Sequence, residues 1–357
     1  MADRSHIEWT DATWNVITGC SVVSPGCTNC YAMKLAGTRL QHHPSRQGLT
    51  TMSKAGPVWN GQVRFNADWL DQPLRWTKPR MIFVCAHGDL FHEGVTDDQL
   101  DRIFAVMALT PQHTYQVLTK RSARMRAYLH GVKPDNSLRH GPGLAQTIQG
   151  HALEYLKHGR FSPNGFGPHY QTDYVNHAGR LRPLPLANVW LGVSAEDQAR
   201  ADERIPDLLS TPAAVRWVSA EPLLGPIDMI SDLGGTQWIG GQRGCGGTHQ
   251  GDGSPGCPRY PHHHHDARCK RGIDWVVAGG ESGPGARPMH PDWARQLRDQ
   301  CAAGDVPFFF KQWGAYLPGG QMMADGRLWS TEGGDVLHAA KTLSGRYLDG
   351  QLHDGTP

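Results

Sequence analysis

Residues 189–224 read VWLGVSAEDQARADERIPDLLSTPAAVRWVSAEPLL, and within them two short apolar runs flank one helical pattern. The runs 189–194 and 215–219 are rich in Val, Leu and Trp and too short for helices, so both read as strands. Ser194-Ala-Glu-Asp197 opens the helix between them, with a buried stripe expected at Ile205, Leu208 and Leu209. Strands that are apolar throughout, rather than alternately polar, are buried on both faces. A strand, a helix and a second strand of that kind make the repeating unit of a parallel sheet covered by helices.

The same unit recurs outward in both directions. Runs at 81–85 (MIFVC), 114–118 (TYQVL), 274–278 (DWVVA) and 307–310 (PFFF) have strand chemistry. Thr96-Asp-Asp-Gln99 is a capping box followed on one face by Leu100, Ile103, Phe104 and Met107. Pro291 at a first helical turn precedes Trp293, Leu297 and Cys301, with Gly304 as the stop. With the apolar run 14–17 added, the strands number about seven. This count predicts a complete or partial (β/α) barrel of the TIM-like kind, with a doubly wound open sheet as the alternative. The barrel is expected over 1–330, interrupted by a lid-like insertion at 131–187 and a loop insertion at 233–272, with 331–357 as a tail. One helical piece, 143–158, is expected inside the first insertion.

The 357 residues can bury a full core, and 39% hydrophobic with 19% charged residues is a globular composition. A net charge of +2 excludes a strongly basic nucleic-acid coat, although Lys120–Arg126 (KRSARMR) is a local basic cluster. No apolar run reaches membrane-spanning length and the first residues have no secretory core, so a soluble, cytoplasmic protein is expected. Eight cysteines in a reducing compartment read as metal ligands or free thiols before disulfides. Cys85 and Cys301 are expected as small buried hydrophobes.

Three cysteines stand together in TGCSVVSPGCTNCYA (18–32), where an apolar run ends and a Gly/Pro/Ser/Asn-rich loop begins. Cys20, Cys27 and Cys30 form a thiolate set with no nearby fourth cysteine. Zinc accepts such a set when a histidine completes it, and so does a [4Fe–4S] cube with one iron left open. Tyr31, directly after the last cysteine, points towards the cube. At the far ends of the other strands polar groups recur: His87 and Asp89; Lys120 and Arg121; Ser194 and Glu196; Glu221; Gly279, Gly280 and Glu281; Lys311, Gln312 and Trp313. In a barrel these ends share one face, where the chemistry lies. Paired glycines there allow a backbone to approach an amino-acid or phosphate moiety closely.

Several longer segments carry a resemblance. The segments 18–32, VLTKRSARM (117–125), WLGVSAE (190–196), VSAEPLLGPI (218–227), GGESGPGARPMHPDW (279–293) and PFFFKQWG (307–314) together resemble the phage Gp37/Gp68 family, a domain of unknown function. That family is similar to radical S-adenosylmethionine (SAM) enzymes, most closely to the spore-photoproduct-lyase branch. The C-x6-C-x2-C-Tyr spacing resembles the radical SAM loop C-x3-C-x2-C-aromatic, with a longer first gap. The resemblance implies a [4Fe–4S] cluster on Cys20, Cys27 and Cys30, and SAM against Tyr31, Ser194, Glu196, Glu221, Gly279, Gly280 and Glu281. It implies reductive cleavage of SAM to a 5′-deoxyadenosyl radical that abstracts hydrogen from the substrate, with a reductant protein as electron source. His87, Asp89, Lys120 and Lys311 would be the catalytic, substrate-side residues, with Trp313 beside them. Members of the family also resemble halves of two-part systems, so a second protein component is a possible partner.

The insertion at 233–272 carries GGQRGCGGTHQGDGSPGCPRYPHHHHDARCKRG, nearly free of apolar side chains. Cys245, Cys257 and Cys269 with one of His262, His264 or His265 make a closed tetrahedral zinc set, and metal binding would supply the missing folding free energy. A disordered His-rich surface loop is the alternative. Two functions follow: a radical SAM-like enzyme acting on a nucleic-acid base or nucleotide, in DNA repair or modification, or a binding and repair-accessory module whose cluster and zinc are structural. The basic cluster and the 12 tryptophans, available for stacking on bases, support the nucleic-acid substrate.

Overall fold

The computed structural model describes residues 5, 7–133, 137, 144–157, 184–230, 238–239, 272–329, 336–339 and 341–357. Seven strands, β1 (Ala12–Trp14), β2 (Met81–Val84), β3 (Thr114–Thr119), β4 (Val189–Ser194), β5 (Val215–Ala220), β6 (Trp275–Gly279) and β7 (Phe308–Gln312), form one sheet whose spatial order is the chain order. Every ladder between them is parallel. That order excludes the doubly wound alternative, in which the strand order reverses at a switch point. Among the described residues no ladder joins β1 to β7, so the sheet is a curled half-barrel, open between its first and last strands.

The apolar strands are explained by burial on both faces. Ile82 and Val84, Tyr115 and Val117, Leu191 and Val193, Val276 and Ala278, and Phe308 and Phe310 alternate into the main core beneath the helices. Those helices are α2 (Asp97–Leu109), α3 (Ser122–Leu129), α4 (Leu144–Lys157), α5 (Gln198–Ser210) and α6 (Pro291–Ala303), while α1 (Tyr31–Gly37) packs apart from them. The intervening positions Phe83, Leu118, Trp190, Trp217, Trp275, Val277 and Phe309 face inward and form a separate aromatic cluster with Trp9. Trp9 sits edge-on to Phe83, Trp217 and Trp275 at ring-centroid distances of 5.2, 5.3 and 5.6 Å. Gly192 is paired with Trp217 across the ladder, and a Cβ there would lie 2.4 Å from the indole. The missing side chain lets the Trp217 ring lie across the neighbouring strand.

The helix signals agree with the observed caps. Thr96 and Gln99 form both halves of a capping box, Asp197 caps α5 by accepting from Arg200 N, and Gly304 ends α6. One stripe differs. In α5 the buried residues are Ala201, Arg204, Ile205 and Leu208, while Leu209 is only partly buried. An arginine occupies the expected apolar face because a buried carboxylate waits for it.

Three expectations about the chain's organisation change. The strand expected at 14–17 is broken: β1 ends at Trp14, and Ile17–Thr18 leaves the sheet to pair antiparallel with Arg64–Phe65. In the lid-like insertion α4 docks on α2, burying Leu144, Ile148 and Ala152, and none of the insertion's described residues lines the cavity described below. The expected tail covers the sheet edge instead. Phe310 N donates to His353 O (2.9 Å), Gly355 N donates to Phe308 O (3.0 Å), and Phe309 bridges Asp354 antiparallel. Trp238 and Ile239, inside the second insertion, are buried in the main core. No helix among the described residues is long and apolar enough to cross a membrane.

Candidate functional site

The strand ends and the cysteine loop enclose one cavity of about 440 Å³, within the size range of small-molecule sites. Cys20, Cys27 and Cys30 line it together with Tyr31. So do Asp89 and Lys120 from the ends of β2 and β3, Ser194 and Ser219 from β4 and β5, and Glu221, Gly280, Glu281, Lys311 and Gln312. Its floor is the aromatic interior of the half-barrel, including Trp9, Phe83 and Leu118. Cys85, buried and in the left-handed region at φ 60°, also faces this space. A non-glycine residue held there marks a locally strained backbone of the kind that clusters at functional sites.

Three clamps hold the cysteine loop against the sheet. In the first, Glu196, fully buried, accepts from Gly26 N (3.1 Å) and from Arg204 Nη1 (3.0 Å). Burial works against its charge, but Lys120, the Ser24 hydroxyl, Arg204 and Gly26 N–H outweigh it and hold the carboxyl below its usual range. In the second, Glu281 accepts from Asn29 Nδ2 (3.0 Å), Arg287 N (2.9 Å) and Arg287 Nη2 (2.6 Å), while Arg287 Nη2 also donates to Pro25 O (3.0 Å). Burial again opposes ionisation, and the Arg287 and Asn29 donors again keep the carboxyl low. In the third, Asp89 accepts from Thr119 Oγ1 (2.7 Å), Lys120 N (3.0 Å), Phe91 N (3.0 Å) and Arg121 Nη1 (3.1 Å). Arg121 in turn reaches the Cys20 sulfur at 3.3 Å.

Beneath the loop lies a small satellite core that the sequence reading did not anticipate. The hairpin Thr50–Ser53/Gly56–Trp59 packs on α1, and Ala32, Met33, Ala36, Leu49 and Trp59 bury against Cys20 and Cys30. Its only sequence signal is the Lys54-Ala-Gly56 turn followed by Trp59.

The expected site residues divide accordingly. Both Glu221 carboxylate oxygens accept from Lys311 Nζ at 2.8 Å, a half-buried ion pair facing the cavity, and Oε1 also accepts from Gln312 Nε2 at 3.5 Å. Lys120 lines the cavity; its backbone N–H is taken by Asp89 and its charge helps hold Glu196 ionised. Glu196 is not among the lining residues and serves the loop. Gly280 lines the cavity, but its missing side chain is needed elsewhere, since a Cβ would lie 2.0 Å from Trp313 O. Gly279 accepts from Leu223 N and does not line the cavity, and Trp313 is buried in the helix-side core with Nε1 on Tyr347 O. The arginines of the basic cluster are neutralised internally: Arg121 by Asp89 and Glu93, Arg124 by Asp97 and Arg126 by Asp207. Residues missed by reading the sequence are Asn29, Ser219 and Arg287; Arg121 and Gln312 were visible at strand ends, but not their partners.

His87 lies behind Tyr31, ring edge to ring face at 5.8 Å, and outside the cavity lining. Its Nδ1 is buried without a partner among the described residues, and burial, then the nearby Arg46 charge, pushes its pKa down to about 4. The ring is therefore neutral in the folded protein. The unfolded histidine titrates near 6.5, so the unfolded state binds more protons between these values and stability falls as pH drops from about 6.5 to 4. In His87→Leu the urea midpoint is expected to lose much of that slope. An unchanged slope would locate the effect in the other buried histidines.

Cys20 is buried enough that its thiol is pushed up to about 12, by burial first and the Asp89 charge second, with Arg121 opposing. Only a strong positive charge, such as a bound metal supplies, would deprotonate it near neutrality. Among the described residues no three His, Cys, Asp or Glu side chains form a group that could hold a metal ion. Sulfurs on one zinc lie within about 4 Å of one another because each Zn–S bond is about 2.3 Å. A cube takes one thiolate at each of three separate irons and suits a wider triad. The cavity is lined by three thiols and no histidine, a donor set of the chemistry that a cluster with one open iron takes. The zinc set of Cys245, Cys257, Cys269 and His262, His264 or His265 lies outside the described residues.

The chain belongs to a family of proteins of unknown function (DUF5131), matched over residues 4–357. No curated protein and no solved structure matches it.

Proposed function

We propose that this protein is an iron–sulfur enzyme of the radical SAM kind, allied to the phage Gp37/Gp68 proteins, and that it acts on a nucleic-acid base or nucleotide. The observation that carries the reading is the meeting of Cys20, Cys27 and Cys30 with the polar ends of β3–β7 around one cavity. A bound [4Fe–4S] cluster with SAM would supply one-electron cleavage of the sulfonium and a 5′-deoxyadenosyl radical. The chain's own residues do the rest. The Glu221–Lys311 pair offers opposite charges to the amino and carboxylate ends of an amino-acid moiety, and Lys120 adds a second ammonium at the cavity wall. The aromatic floor of Trp9 and Phe83 excludes water from below. In this reading a zinc on the 245–269 set stabilises the second insertion, and a reductant protein delivers the electron.

The clamps favour a second reading at one point. Glu196, Glu281 and Asp89, all candidates for contact with ligands, are engaged in fixing the loop. A cluster-bearing module that cleaves no SAM would need that arrangement equally. Anaerobic reconstitution with iron and sulfide, then SAM and a strong reductant, separates the two. The enzyme shows a broad absorbance shoulder near ~400 nm and releases 5′-deoxyadenosine, and both disappear in Cys27→Ala. The shoulder without 5′-deoxyadenosine identifies the module, and an iron-free, colourless protein sinks both readings.

A further inference from the structure

Arg121 has five N–H donors, and each has a partner. Nε faces Glu93 at 3.3 Å; Nη1 donates to Asp89 Oδ2 (3.1 Å) and to the Cys20 sulfur (3.3 Å); Nη2 donates to Ser21 O (3.4 Å) and Ser21 Oγ. The guanidinium is 5% exposed, and Asp89 behind it is anchored by three other donors. The fork is thus fixed by its own saturation, with one N–H aimed at a sulfur that lines the cavity. His92 secures the far side by bonding to Ser21 Oγ through Nε2 (3.1 Å). A lysine has three donors and no planar fork, so it could not reproduce this set.

We propose that Arg121 is a positioning residue that raises the reduction potential of the metal centre held through Cys20. The proposal rests on the cluster reading above. An N–H···S hydrogen bond and a buried positive charge both stabilise the state with the added electron, and hydrogen bonds to ligand sulfurs are a principal control of cluster potential. Asp89 and, more weakly, Glu93 oppose the cation from its other side. The sign of each substitution is therefore set in advance.

The test is a redox titration, followed by electron paramagnetic resonance, of the anaerobically reconstituted full chain, with iron content measured on each sample. Arg121→Gln is expected to lower the midpoint potential by roughly tenfold in the reduction equilibrium, about 59 mV for one electron. Arg121→Lys, which keeps the charge and loses the fork, falls between it and the parent. Asp89→Asn shifts the potential upward. Glu93→Gln does the same to a smaller degree, and because Glu93 is 65% exposed this variant folds whatever happens to the others. Opposite shifts for the cation and its carboxylates, at unchanged iron content, support the proposal. Equal potentials in all variants, or a downward shift in every one, overturn it while leaving the cluster in place. A parent protein that takes up no iron removes the cluster reading, and this proposal falls with it.

Discussion

Glu196→Ala is expected to lower the unfolding free energy by about 3–5 kcal/mol, the cost of leaving a buried charge without its partner. The carboxylate is fully buried and Arg204 is 1% exposed, so water cannot replace the lost contact. Glu203, mostly exposed and 3.7 Å from Arg204 Nε, compensates only in part. The same substitution releases Gly26 N and the Ser24 hydroxyl, which belong to the cysteine loop. Two measurements separate these effects. The denaturant midpoint reports the ion pair, and iron uptake after reconstitution reports loop order. In the double variant Glu196→Met/Arg204→Met, stability should largely return, because apolar replacement of a buried pair is often neutral. Iron uptake should not. If the double variant recovers both, Glu196 has no particular hold on the loop. Ionisation adds a pH dependence of known sign. The carboxyls of Glu196 and Glu281 titrate below their ordinary range, so their stabilisation is complete above the unfolded value near 4.5 and is lost as pH falls through the folded one.

Trp9→Ala should cost a similar amount, about 3–5 kcal/mol, for a different reason. The indole fills the concave side of the sheet, where among the described residues no facing strands complete a barrel core. It touches rings from β2, β5 and β6 at once. Its Nε1 has no hydrogen-bond partner among the described residues, so the loss is one of packing alone. The backbone contact from Gln116 Nε2 to Trp9 O survives the change. Because Trp9 also floors the cavity, the variant should deepen it and admit water from below. Trp9→Phe should recover much of the midpoint. A Trp9→Ala protein as stable as the parent would mean that the N-terminal segment does not plug the half-barrel.

The architecture was legible because its strands are buried on both faces. All six runs read as strands outside the first lie within two residues of the observed bounds, as continuous Val, Ile, Phe and Trp demand. What the sequence concealed is local and polar. The strand TTMS at Thr50–Ser53 has neither alternation nor bulk, yet with Trp59 it builds the support under the cysteine loop. The acidic residues at the strand ends were visible as a set, but not which faced the cavity. That division is made by partners such as Arg204, Arg287 and Arg121, whose pairing follows from the folded geometry. Arg121 itself read as a strand-end residue within the basic cluster 120–126, and its burial beside Cys20 has no sequence signature. The paired glycines illustrate the same limit: Gly280 is small because another segment's carbonyl crosses it.

The antiparallel cover that residues 353–355 lay on β7 has a practical meaning for anyone dividing this chain into pieces. A fragment stopped after the last helix and strand would keep every catalytic candidate and still carry Phe308-Phe309-Phe310 along a bare rim. Aromatic rims of that kind recruit other copies. The final residues therefore act as a guard against self-association, and a shortened version would be limited by its solubility before its chemistry could be assayed.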